Sequence, residues 1–172
     1  SGLYLGGTVV GTIHHGDPEL AGLQADAGYA LRLGPGLSLD AGLSRSQYYY
    51  AYGDQRLHYT ELYLGLATSH IRARVNYSPD YARAGMQTLY GELDGGIEPV
   101  AHWLLSAHAG LFRYLDTPPY RVPRERVDWR VGVTRQLGAT GIHLNLSGRA
   151  QINPAGRASD ATAVVLGVTH AF

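Results

Sequence analysis

The chain contains no cysteine and no lysine. The first absence excludes a disulfide framework and any thiolate metal or redox centre. The second leaves arginine as the only strong base, and 14 basic residues against 14 acidic ones give a net charge of zero. Such a balance provides no basic field for nucleic acid, so no nucleic-acid partner is expected. Long apolar runs are missing too. No stretch of eighteen apolar residues occurs, which excludes a transmembrane helix. Glycine (23) and tyrosine (13) are plentiful instead, and tyrosine suits both strands and membrane interfaces. At 172 residues the chain fits one domain, 1–172.

Periodicity is two nearly everywhere, and no segment shows the 3.6 period of a helix. LQADAGYALRL (23–33) sets Leu23, Ala25, Ala27, Tyr29, Leu31 and Leu33 against Gln24, Asp26, Gly28, Ala30 and Arg32. DWRVGVTRQL (128–137) and IHLNLSGRAQI (142–152) alternate in the same way. Ten strands are predicted: 2–14, 23–33, 37–44, 57–67, 71–77, 88–98, 103–115, 127–137, 142–152 and 161–172. Their connections alternate, long after the odd-numbered strands (HHGDPE, YYYAYGDQR, SPDYARAGMQ, DTPPYRVPRER, NPAGRASD) and short after the even ones. All eight prolines (18, 35, 79, 99, 118, 119, 123, 154) are placed in connections, where no ladder hydrogen bond is lost.

The two faces differ in kind. One carries Asp26, Arg32, Asp40, Glu61, Arg72, Arg74, Glu92, Asp94, His108, Asp128, Arg130 and Arg149. The other is apolar at mid-strand, and only Arg45, Arg113 and Arg135 share its phase, near strand ends. A soluble barrel turned polar-out, like a lipocalin, would show these charges to water. Charges of both signs along nearly every strand fit better as the lining of a polar lumen. The predicted fold is therefore all-β: a transmembrane antiparallel up-and-down β-barrel of about ten strands, with short periplasmic turns and longer extracellular loops. The tyrosines toward the long connections would form an aromatic girdle.

Laying out the hairpins sets Glu92 opposite His108 and Asp94 opposite Ser106. It puts Arg74 beside Tyr63 and diagonal to Glu61, and Arg130 opposite Arg149 with Asp128 diagonal to the latter. These charges either pair into a salt-bridged filling or line a narrow polar pathway. Glycines 28, 42, 65, 96, 110, 132 and 167 share the inward phase, where they make room for arginines or ease strand curvature.

The closing strand ATAVVLGVTHAF (161–172) ends on an aromatic, with Gly167 five residues before Phe172. This resembles the signal that outer-membrane barrels present to their insertion machinery, although His170 holds the usual penultimate aromatic position. Together with YTELYLGLA (59–67), YSPDY (77–81), TLYGELD (88–94) and DWRVGVTRQLG (128–138), it makes residues 20 to 172 resemble the TorF-type porins of Gram-negative bacteria. The Tyr-Arg-x-Arg-Gly-like block with which other members begin does not occur, which leaves a shorter barrel or one without that hairpin as alternatives. The resemblance implies a bacterial outer-membrane location and a porin-like role. It implies as partners membrane lipid and lipopolysaccharide, the insertion machinery and small polar solutes, and it brings no catalytic residues.

Other chemistry is poorly supported. Ser106, His108 and Asp94 share a face, but a serine and histidine at i, i+2 of one strand are rarely aimed as nucleophile and base, so no enzyme is expected. His14 and His15 are adjacent and would point apart in an extended chain, so with Asp17 they make no metal site. No cofactor is expected. A non-conducting structural or surface-binding barrel remains the rival to a channel.

Overall fold

A computed structural model describes residues 1–14, 17–81, 84–118, 122–152 and 161–171, the side chains at 14, 50–55, 151 and 152 aside. Among the described residues there is no helix. The elements are β1 (Gly2–His14), β2 (Asp17–Gly34), β3 (Leu37–Ala67), β4 (Ile71–Ser78), β5 (Thr88–Val100), β6 (Trp103–Tyr114), β7 (Glu125–Leu137), β8 (Thr140–Ile152) and β9 (Ala161–His170). Each pairs antiparallel with the next in chain order, in one sheet. β3 doubles back on itself. Its first arm pairs with β2 from Leu37 to Tyr48 and its second with β4 from Leu62 to Ala67. Ser38 Oγ donates to Ala67 O at 3.5 Å and Arg45 donates to Thr60 Oγ1 at 2.6 Å, which fixes the arms side by side. The sheet thus has ten antiparallel up-and-down strands. It is not closed, since β1 and β9 each have one neighbour.

Polar residues fold inward and apolar ones outward. Ser46, Ser78 and Thr88 are 2%, 1% and 3% exposed, whereas Leu64 is 55% and Leu166 72% exposed. The polar face is concave, because its side chains meet across strands that are not neighbours. Tyr4 of β1 reaches Asp40 and Tyr63, and Tyr90 of β5 reaches Asp128 of β7. Arg45, Arg113 and Arg135 lie on the outer face near strand ends as expected, against Asp80, Glu125 and the Trp103 ring.

The short turns stand where the sequence puts them, with Gly36 and Gly138 at φ 73° and 59°. Several long connections are shorter than predicted. β1 and β2 stay paired to His14 opposite Asp17, so most of HHGDPE is strand; residues 15 and 16 lie outside the described residues. A ladder between backbones continues through polar residues as readily as apolar ones, so hydropathy marked its end too early. YYYAYGDQR is likewise part of β3. Two prolines sit in strands after all. Pro18 is the second residue of β2, and Pro99 lies in the irregular stretch between Ile97 and Val100 of β5. Both are places where a missing N–H is tolerated. Pro119 and Pro154 lie outside the described residues, as does the 153–160 connection.

Candidate functional site: the charged interior

All twelve predicted lumen residues fall on the inward phase of their strands, but the pairing differs from the hairpin layout. Asp94 is opposite His108 and Glu92 opposite Gly110, not Glu92 opposite His108 and Asp94 opposite Ser106. Asp128 is opposite Arg149 and Arg130 opposite Ser147, so the two arginines are not paired. The cause is turn length. Leu137 pairs directly with Thr140, and Val100 with Trp103, so two-residue turns draw extra residues into the ladder and slide each register. Opposite charges thereby meet where a four-residue turn would have set like charges face to face.

Asp94 is the hub at mid-height. Arg72 donates to its Oδ2 at 2.9 Å, Arg130 approaches Oδ1 at 3.7 Å, and His108 Nδ1 lies 2.9 Å from Oδ1. His108 Nε2 is also 2.9 Å from Asp128 Oδ1. Only an imidazolium donates from both nitrogens at once, so the ring is built to bridge two carboxylates. Tyr90 donates its hydroxyl to Asp128 from two strands away at 3.2 Å.

A second cluster lies toward β1. Arg74 donates to Asp40 at 2.9 Å and its guanidinium stands 4.5 Å over the Tyr63 ring, while Tyr4 donates to Asp40 at 2.5 Å. Arg74 is opposite Gly65 and reaches Tyr63 diagonally, so the expected neighbour is present, but the acid it takes is Asp40 and not Glu61. Asp26 accepts from Gln24 at 2.7 Å, and Arg32 is exposed at the turn end. Glu61 and Glu92 are half-buried, and Arg149 is exposed.

Tyrosines were the residues misplaced. The girdle is largely an interior cluster instead. The Tyr48 and Tyr59 ring centroids are 6.2 Å apart, Tyr59 and Tyr81 4.8 Å, Tyr81 and Phe112 5.2 Å, and Phe112 and Tyr114 5.0 Å. This chain of rings crosses the loop end of the concave face. Its phase gave the signal, since Tyr63, Tyr90 and Phe112 alternate in step with Glu61, Glu92 and His108. Some inward glycines serve these rings. A Cβ on Gly28 would come within 2.6 Å of the Tyr63 hydroxyl and 2.5 Å of the Tyr4 ring, and Gly42 also lies against Tyr63. Gly65 does not clear space for an arginine, since a Cβ there would stand 3.6 Å from Arg74 Nε, an ordinary contact.

Glu92, Asp94 and His108 each offer a donor atom within 4.8 Å of the others, a spacing that suits a cation. Asp94 already has two arginines and an imidazole on it, so a metal would have to displace them. His15 and the side chain of His14, considered above with Asp17, lie outside the described residues, as does Phe172. Gly167 lies on the inward phase of β9, half-buried beside His143.

A family model matches residues 1–150, nearly the whole chain as far as the end of β8. The chain belongs to the Gcw_chp family. That family is described as "Bacterial protein of unknown function", and the Gcw_chp match takes in every residue of the two clusters. Comparison with curated proteins and with solved structures finds no match.

Proposed function

We propose that the chain is a bacterial outer-membrane β-barrel acting as a narrow porin-like channel for small polar or ionic solutes. The observation that carries this reading is the inversion of burial: charges and hydroxyls on the concave face, and a continuous leucine, valine and isoleucine surface outside. An exposed apolar surface of that extent is costly in water and favourable in hydrocarbon. The TorF-type porin resemblance points the same way.

In a bilayer an unpaired strand edge cannot persist, so β1 and β9 must meet. Their stagger supports this. Directly opposed residues lead from Tyr4 through Gly28 to Gly42, and from Tyr63, packed on Gly42, through Asn76, Tyr90, Phe112 and Arg126 to Gln151. The path starts near the turn end of β1 and finishes near the loop end of β8. This is the steady offset that closes a barrel, with a shear of about ten residues. Keeping the turn ends level then sets Leu3 against His170, Thr8 against Val165 and Thr12 against Ala161. Each of these pairs shares a face.

Two measurements test the proposal. Because the chain has no cysteine, Thr8→Cys with Val165→Cys gives one clean disulfide in the refolded monomer if the edges meet at that register. Planar-bilayer recordings should show discrete current steps. Crosslinks only between copies, or none, would overturn closure.

A second reading has its own observation. The ring chain from Tyr48 to Tyr114 and the salt bridges on Asp94 cross the interior, as expected of a closed structural barrel. An intramolecular crosslink without conductance would select it.

A further inference from the structure

Toward the loop end, the concave face carries an open chamber of about 440 Å³ lined by Tyr59, Glu61, Glu92, Phe112, Arg126 and Arg149 among others. Its charges are divided between walls. The acids Glu61 and Glu92 come from the second arm of β3 and from β5, and the bases Arg126 and Arg149 come from β7 and β8. Among the described residues these four make no ion pair, with each other or with any other group. Asp128 also lines the chamber, but His108 and Tyr90 occupy its carboxylate.

Arg126 is the most telling of the four. Its guanidinium lies 4.2 Å over the Phe112 ring and 5.8 Å from the Tyr114 ring. Its Nε is buried without a hydrogen-bond partner. A buried donor left unsatisfied is costly unless something arrives to accept from it. Aromatic faces between the two charged walls offer stacking to an apolar body.

We infer that this chamber binds a zwitterion of dipeptide size, its carboxylate on the Arg126 and Arg149 side and its ammonium on the Glu61 and Glu92 side. Size follows from spacing. Strands lie roughly 4.8 Å apart, so β5 and β7, with β6 between them, carry their charges on backbones roughly 10 Å apart. That is wide for the two charges of a single amino acid. It suits termini separated by about two to three residues at roughly 3.5 Å each, the shorter length because the charged side chains project inward from those backbones. A lone anion meets the bases but gains nothing from the acids, and a lone cation does the reverse. The inference goes beyond the channel reading, since the chamber can fill in a barrel that does not conduct.

The test is calorimetric titration of the detergent-refolded chain with three matched probes: the dipeptide Ala-Phe, its N-acetyl form and its C-terminal amide. Losing either charge-assisted contact should weaken binding about tenfold or more. Arg126→Gln should weaken Ala-Phe to a similar extent and leave the amide unchanged. Glu61→Gln with Glu92→Gln should weaken Ala-Phe and leave the acetylated probe unchanged or tighter. Should Arg126→Gln fail to fold, Arg149→Gln, at an exposed position, probes the same wall, and the three-probe comparison needs no variant. Equal affinity for all three probes, or no binding to protein whose strand content is intact by circular dichroism, overturns the inference. Selective binding without current would leave it standing while rejecting the channel.

Discussion

At the scale of single residues, the interior separates groups that are locked from groups that stay wet. Gly28 and Gly42 are locked: the Tyr4 and Tyr63 side chains occupy the space a side chain would need at Gly28, and the Ala27 carbonyl and Tyr63 occupy it at Gly42. Gly28→Val should destabilise the refolded protein by about 1–3 kcal/mol through overpacking, measured by urea unfolding in detergent. Arg130 and Arg149 are wet: the Arg130 side chain is 51% exposed, and Arg149 is exposed with no ion pair among the described residues. Replacing both by alanine should leave the thermal midpoint nearly unchanged and weaken any anion preference in bilayer recordings. A large loss of stability with no current in either protein would mean a filled interior. Asp94→Asn is intermediate. It weakens three contacts, but the Arg72 it releases is already 52% exposed and can turn to water. The expected loss is about 1–3 kcal/mol.

Among the elements, the strands were legible and their offsets were not. Alternation placed all twelve charged residues expected on the polar face on the concave face of the sheet, because a strand has only two faces to choose from. Register depended on turns, and PVAH and GATG read as four-residue connections where Ala101–His102 and Gly138–Ala139 suffice. At the first of these His102 takes φ 68°, a left-handed conformation that costs a residue with a Cβ. His102→Gly should therefore raise unfolding stability by about 1 kcal/mol. No gain would show that the histidine side chain contributes something the turn needs. The outer faces of the strands give a sharper test. Leu64→Arg and Leu146→Arg should each cost about 2–4 kcal/mol when the protein is folded in bilayers. Both leucines are exposed, so in a protein folded in water the same changes would be almost neutral. Refolding into bilayers as stably as wild type would defeat the membrane reading.

For the molecule as a whole, the question is whether a path runs from one end to the other. If the sheet closes, the clusters on Asp94 and Asp40 narrow the middle of that path, and the rings of Tyr59, Tyr81 and Phe112 cross its loop end. If those rings limit passage, Tyr81→Ala with Phe112→Ala should raise single-channel conductance without altering ion preference, since no charge is moved. Unchanged conductance in the folded double variant would place the constriction at the charged clusters instead. Closure between β1 and β9 underlies all of this, and the crosslink at Thr8 and Val165 reports on it independently of current.

The sequence by itself determined the all-β class, the number of strands and the face of each charged strand residue. Those properties follow from period two and from glycine and proline, which act locally. The tertiary structure alone decided who meets whom. Asp40 takes Arg74 and Tyr4, and Asp128 takes Tyr90, from strands that are not its neighbours, and only curvature of the sheet brings them together. The tyrosines show the limit most clearly. Their abundance near the long connections was plain in the chain, but an amphipathic ring suits an interface and a crowded polar interior equally well. For Tyr4 and Tyr63 the concave face has room because Gly28 and Gly42 carry no side chain there, and only the register of the strands brings those glycines against the rings.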